Sequence, residues 1–221
     1  MGGNIMKNKF SIAISLLIAF VLWTLILLTV NVEPIGPNHS SVGLASINGW
    51  FHSLTGVHIA LYEMTDWLSL LPLGIVFYFG IIGLCQWIKR RKLTLVDCDI
   101  LVLGGFYAVV LALFLLFEVL AINHRPILID GILEASYPSS TTMLVMCVIP
   151  TAMMQFQQRI RKPAVRCIIL FSLKAFMVLM VFGRLISGVH WLTDIIAGAL
   201  LSSGLVTLYN GFCHLMYKKS L

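Results

Sequence analysis

The sequence predicts an all-α integral membrane protein, with six membrane-spanning helices and one short amphipathic helix lying in the outer interface. Three observations carry that prediction. Of 221 residues, 59% are hydrophobic and 11% charged, against about a quarter charged in a soluble domain, and the mean hydropathy is +0.97. The apolar residues fall into runs near the ~20 residues that a helix needs to cross the hydrocarbon layer. Basic residues collect at alternate breaks between those runs.

The first run, about 10–32, follows Lys7 and Lys9. It is too long for a signal-peptide core and no small-x-small cleavage site follows it, so it reads as a retained helix. The opening MGGNIM lacks the Ser or Thr of a myristoylation signal. A turn-rich stretch, NVEPIGPNHSSVG, comes next. Beyond it Ile47, Trp50, Phe51, Leu54, Val57 and Leu61 recur at helical spacing, an outer interfacial segment over 46–64 anchored by Trp50 and Phe51. Further spans are expected at about 67–88, 100–122, 138–156, 166–189 and 191–216. In the last, Gly198 and Ser202 form a small-xxx-small pair that admits a close neighbour. No repeat or polar linker divides the chain, so 1–221 is read as a single membrane domain.

Lys7 and Lys9, Lys89 to Lys92, Arg159 to Lys162 with Arg166, and Lys218 and Lys219 fall on one side of this arrangement, whereas 33–66 holds no Lys or Arg. The positive-inside rule makes the basic side cytoplasmic and places both termini there. The net charge of +6 and pI of 9.2 thus reflect topology and anionic inner-leaflet lipid. Nucleic-acid binding is a poor reading, because no basic patch is interleaved with exposed aromatics. The five cysteines form no CxxC and suggest neither metal nor disulfide. A transporter would show an inverted repeat with broken helices, and RLISG lacks the Gly-x-Ser-Gly frame of a rhomboid-type protease.

The remaining polar residues gather at the outer rim. Glu118, His124 and Arg125 lie around the end of the third span, YPSSTTM opens the fourth, and GRLISGVHWLTD carries Arg184, His190 and Asp194 between the fifth and sixth. Ionisable groups at membrane depth are costly and mark functional sites by default. His190 and Asp194 are four apart, within reach on a helix, and an aspartate that accepts the Nδ1 proton leaves Nε2 as a nucleophile or base. Guanidinium groups bind phosphate oxygens in a planar fork, and the serine-rich helix start offers N–H groups to an anion.

R-x5-H-x3-D at 184–194, RP at 125–126 and PSS at 138–140 resemble the three signature motifs of the type 2 phosphatidic acid phosphatase (PAP2) superfamily. The order, the spacing and the six-helix frame agree from about residue 50 onward. The resemblance implies that His190 is the nucleophile of a phosphohistidine, supported by Asp194. It implies too that Arg125, Arg184 and the Ser139–Ser140 backbone hold the phosphate. The substrate implied is a polyprenyl diphosphate such as undecaprenyl diphosphate, or a related lipid phosphate, cleaved at the extracytoplasmic face of the cytoplasmic membrane. No metal or cofactor is needed, since arginines and backbone N–H groups can take the phosphoryl charge.

Two positions depart from the family pattern. Glu118 stands where the first motif has a lysine, and Thr141 where the second ends in a histidine that protonates the leaving group. Glu118 is expected to pair with Arg125 or Arg184, and either His124 or a protonated Glu118 is a stand-in proton donor. An alkoxide leaving group, with a pKa of roughly 16, needs such a donor far more than a phosphate with a second pKa of about 6, which favours a diphosphate lipid. The alternative is a PAP2-like protein that has lost turnover and binds or senses a lipid phosphate headgroup.

Overall fold

The computed structural model describes residues 2–219, with side chains from 7 to 216. The MGGNIM start and the side chains of Lys218 and Lys219, used above for orientation, lie outside the described side chains. Eight α-helices account for most of the described chain: α1 (Gly2–Thr29), α2 (Ala45–Thr55), α3 (Ile59–Leu68), α4 (Leu70–Arg90), α5 (Cys98–Leu120), α6 (Ser140–Arg159), α7 (Pro163–Ile186) and α8 (Leu192–Lys219). Among the described residues five stretches are long and apolar enough to cross a membrane: Lys7–Thr29, Ile59–Arg90, Cys98–Leu120, Pro163–Ile186 and Leu192–Met216. Large apolar side chains point outward from them, with Val119 84%, Phe171 73% and Phe77 70% exposed. Such a surface is a liability in water and needs no cover in lipid.

The remaining expected span, the fourth at 138–156, is α6. At 20 residues it is somewhat shorter than the others, and it carries Ser, Thr and Gln and is buried along most of its course. It packs on α4, α5, α7 and α8. A helix surrounded by protein does not need the uniform apolarity of a lipid-facing one, and its polar groups find partners inside the bundle. Thr151 lies 3.1 Å from the Tyr107 hydroxyl, and Gln155 donates to the Tyr209 hydroxyl at 3.1 Å. The expected close approach at Gly198 is present, since a Cβ there would lie 3.2 Å from the Ser139 carbonyl of the preceding loop, and Ser202 donates to the Met143 carbonyl at 3.4 Å. On its other side α8 receives α1, with Gly204 against Leu17 and Gly211 against Phe10.

The expected interfacial segment 46–64 divides in two. Only α2 is separate, and from Ile59 the chain already runs as α3 into the second span. The path breaks at Ser69, whose hydroxyl donates to the Thr65 carbonyl at 2.9 Å. Pro72 follows in the first turn of α4, where the missing N–H costs nothing.

Between α5 and α6 the chain forms a small hairpin that was expected only as loop. His124 bridges to Ala135 and Ile129 to Ile132. At the tip Asp130 and Gly131 both have positive φ, +50° and +77°, as a type I′ turn requires.

Candidate functional site

Three segments meet at the end of the bundle opposite Lys89, Arg90 and Arg159: the hairpin, the start of α6 and the α7–α8 turn. The turn is built on Gly188, whose φ is +70° and where a Cβ would sit 1.9 Å from the Gly56 carbonyl oxygen. The chain after α2 therefore rests directly on it, and the His58 N–H donates to the Ser187 carbonyl at 2.9 Å. So held, the turn aims His190 inward, 4% exposed. From α1, Trp23 Nε1 donates to the Thr193 carbonyl at 3.2 Å, and Thr24 meets the Tyr137 hydroxyl at 2.7 Å.

Asp194, fully buried in the first turn of α8, accepts from the Trp191 N–H at 3.1 Å and from Asn123 Nδ2 at 3.4 Å. Its Oδ2 lies 3.8 Å from His190 Nδ1, within ion-pair range and beyond a hydrogen bond. Burial is the main influence on the imidazole and drives its pKa down to about 4. Asp194 pulls the other way, and the positive charges of Arg125 and Arg184 push it further down. His190 is therefore neutral near pH 7, with a nitrogen lone pair free.

Arg125, projecting from the hairpin, is 7% exposed, and its Nε lies 2.9 Å from Glu134 Oε2 on the facing arm. Arg184, near the end of α7, is 1% exposed. Its Nη1 donates to the Tyr62 carbonyl at 3.2 Å and to Thr65 Oγ1 at 3.1 Å, and its Nη2 to Asp66 Oδ1 at 3.3 Å. Both guanidiniums lie over the ring of Tyr62, Arg184 at 4.6 Å and Arg125 at 5.7 Å. Arg125 Nη1, Arg184 Nε and both nitrogens of His190 are buried with no hydrogen-bond partner among the described residues. Buried polar atoms are nearly always paired, and an unpaired charged donor is the costliest kind. Two forks with donors to spare around a neutral imidazole can hold a tetrahedral oxyanion against a nucleophile.

Other expected members of the site fall elsewhere. Ser139 is fully buried as the N-cap of α6, and its N–H donates to the Asp194 carbonyl at 3.1 Å, so it ties α6 to α8 and has no N–H left for an anion. Ser140 and Thr141 instead line a cavity of 540 Å³ that runs between α4, α5 and α6 past Leu73, Phe114 and Val148. A second cavity of 500 Å³ shares Val76 and Tyr107 with it and continues between α4 and α5 toward Trp87. Glu118 does not pair with Arg125 or Arg184, whose carboxylate partners are Glu134 and Asp66. It is exposed on the last turn of α5. Its helix ends at Leu120 with Ala121 at φ +42°, which turns the hairpin carrying Arg125 away from the helix line. His124 is half-buried, and its carbonyl accepts from Trp191 Nε1 at 2.7 Å.

Tyr62, Thr65, Asp66, Asn123 and Glu134 were missed from the sequence. The polar i, i+3, i+4 face of IALYEMTDWL and the Asp-Gly between ILI and IL were the available signals.

The sequence pattern of the PAP2 superfamily matches residues 39–217. The chain belongs to the PAP2 superfamily. This is the phosphatase family that its motifs resemble, and α1 lies outside the matched region. A similar solved structure is the transmembrane PAP2-type phosphatidylglycerolphosphate phosphatase from Bacillus subtilis. The two share 19% identity with a TM-score of 0.63, over 91% of this chain and 95% of that one. At that identity the likeness shows a common fold. A comparison with curated proteins gives no match.

Proposed function

We propose that this PAP2 member is a membrane lipid phosphatase in which His190 takes the phosphoryl group of its substrate. The reading is carried by the unpartnered donors of Arg125 and Arg184 around the neutral, buried imidazole. In the first step a His190 nitrogen attacks phosphorus, and the bond to the leaving oxygen breaks with its electron pair. In the second, water attacks the phosphohistidine, the P–N bond breaks and inorganic phosphate departs. Arg125 and Arg184 take up the charge that grows on the equatorial oxygens. Asp194 holds the loop from which the imidazole projects, and Ser140 lines the cavity proposed for the lipid.

A lipid substrate is supported by the apolar cavity that opens beside Ser140 and Thr141 and is walled by lipid-facing helices. The finer assignment is a polyprenyl diphosphate, undecaprenyl diphosphate by family resemblance, cleaved at the extracytoplasmic face. The positive-inside pattern supports that face. Thr141 supports a diphosphate, because a lipid monophosphate leaves without help from an acid. The same residue favours one second reading, a member that binds the headgroup without turnover.

Both readings meet one experiment. Protein in lipid nanodiscs is incubated with lipid diphosphates and monophosphates labelled at the terminal phosphate, then quenched in alkali. The proposal expects an acid-labile label on His190, and phosphate release that disappears in His190→Ala. Equal release from the two proteins ends the catalytic assignment, and tight binding without label establishes the headgroup-binding reading.

A further inference from the structure

We propose that one face of α3, made of Tyr62, Thr65 and Asp66, is the positioning frame of this site, with Tyr62 holding its two arginines together. The inference rests on the phosphate-binding reading of Arg125 and Arg184 above. These three residues lie outside every segment that the motifs single out.

The geometry is unusually one-sided. A guanidinium has five N–H donors in a rigid plane. α3 occupies the Nη edge of Arg184 through the Tyr62 carbonyl, the Thr65 hydroxyl and the Asp66 carboxylate. The Nε edge stays buried and uncommitted. A frame that fixes one edge of a fork dictates where the other edge points.

Thr65 is suited to this task because its hydroxyl proton is directed back to the Leu61 or Tyr62 carbonyl, each at 2.9 Å, leaving oxygen lone pairs for Arg184. α7 comes close enough through Gly183, beside Arg184, where a Cβ would lie 2.8 Å from Thr65 Cγ2. Asp66 reaches the outer margin of the same cation while also walling the cavity, its side chain 60% exposed against 2% for Arg184.

Tyr62 addresses a different difficulty. Two buried guanidiniums near one imidazole repel each other, and among the described residues each has one carboxylate partner. An aromatic face attracts cations, and here one ring serves both, at 4.6 and 5.7 Å. The ring holds the pair close without adding a negative charge that a phosphate would have to overcome. Removing it lets Arg125 and Arg184 separate, so a bridging oxyanion loses one of its two forks.

The test uses full-length protein in nanodiscs, with orthovanadate as the phosphate-like probe. Tyr62→Leu is expected to weaken vanadate inhibition about tenfold and to raise KM more than it lowers kcat. With the cations displaced from His190, the acid limb of its pH profile should move upward. Tyr62→Phe keeps the ring and should stay within about twofold of the parent, and Thr65→Val, of equal shape, should weaken vanadate severalfold. If Tyr62→Leu melts at the parent temperature with unchanged vanadate affinity and pH profile, the inference is wrong. Should Tyr62→Leu fail to fold, Thr65→Val decides by the same readouts. A parent protein that neither binds vanadate nor forms phosphohistidine removes the functional reading itself. A parent that does both while its α3 variants match it removes the frame alone.

Discussion

Lowering the pH from about 7.5 to about 5.5 separates a buried, cation-flanked imidazole from an ordinary one. With a pKa of about 4, His190 stays ~97% neutral at the lower pH, whereas a histidine at the usual value of about 6.5 falls to ~9%. Neutral imidazole is the form that reacts with diethyl pyrocarbonate, so the rate of His190 modification, followed by peptide mass spectrometry, should be nearly equal at the two values. A tenfold fall would refute the account of burial and charge at this site. Arg125→Gln removes one of the cations that lower the value, so it should raise the pKa and restore part of the fall. Asp194→Asn removes the group that opposes the shift and should not. Stability follows with a defined sign. The folded pKa lies below the unfolded one, so the unfolded chain binds more protons between them, and stability is lost as pH falls from about 6.5 toward 4. The full loss is about 3 kcal/mol. His190→Gln should flatten that part of the stability profile, read from thermal melting in nanodiscs.

Gly188→Ala forces a side chain into positive φ and against the Gly56 carbonyl oxygen. It should destabilise by more than about 1 kcal/mol and lower phosphohistidine formation, and an unchanged melting temperature would exclude this packing. Asn48, fully buried, donates to the Gly43 carbonyl and Thr193 Oγ1 and accepts from the Thr193 N–H. Asn48→Ala leaves these groups unpaired and should cost about 2–3 kcal/mol, measured by melting. Glu134→Gln frees Arg125 from its carboxylate and should change KM severalfold with little effect on melting, because the pair is partly exposed.

The spans were legible because lipid imposes a length and an apolarity on each helix, and the residues of the candidate site stood out because their charges interrupt that apolarity. α6 was recognised by position and length even though its composition is that of a buried helix. The residues that aim the site were not legible, and for two different physical reasons. Tyr62, Thr65 and Asp66 look unremarkable in a short amphipathic stretch, and their role depends on α3 crossing α7 at Gly183. Glu134 depends on the hairpin register set by Asp130 and Gly131, which pairs Arg125 with it across the arms. The family resemblance also implied that the Ser139 backbone holds the anion, whereas in the fold its N–H donates to the Asp194 carbonyl.

The two departures from the family pattern act on different halves of the reaction. Glu118 is exposed on α5 and paired with neither arginine, so the change there removes a cation without seating an anion between the forks. The proposed nucleophile His190 and both arginines remain. Thr141 lines the cavity between α4, α5 and α6, where the proposed reaction would release its lipid leaving group, and a hydroxyl there cannot give up a proton at neutral pH. The loss should therefore fall on substrates according to their leaving group. General acid catalysis is worth about 10²–10⁴-fold where the departing oxygen is an alkoxide, and far less where it is a phosphate with a second pKa of about 6. Thr141→His should accordingly raise release from a lipid monophosphate by at least about tenfold and leave a lipid diphosphate within about threefold. Single-turnover rates on matched polyprenyl substrates measure both. An equal gain on the two substrates would mean that Thr141 limits binding or access, and that the leaving group departs elsewhere than past α6.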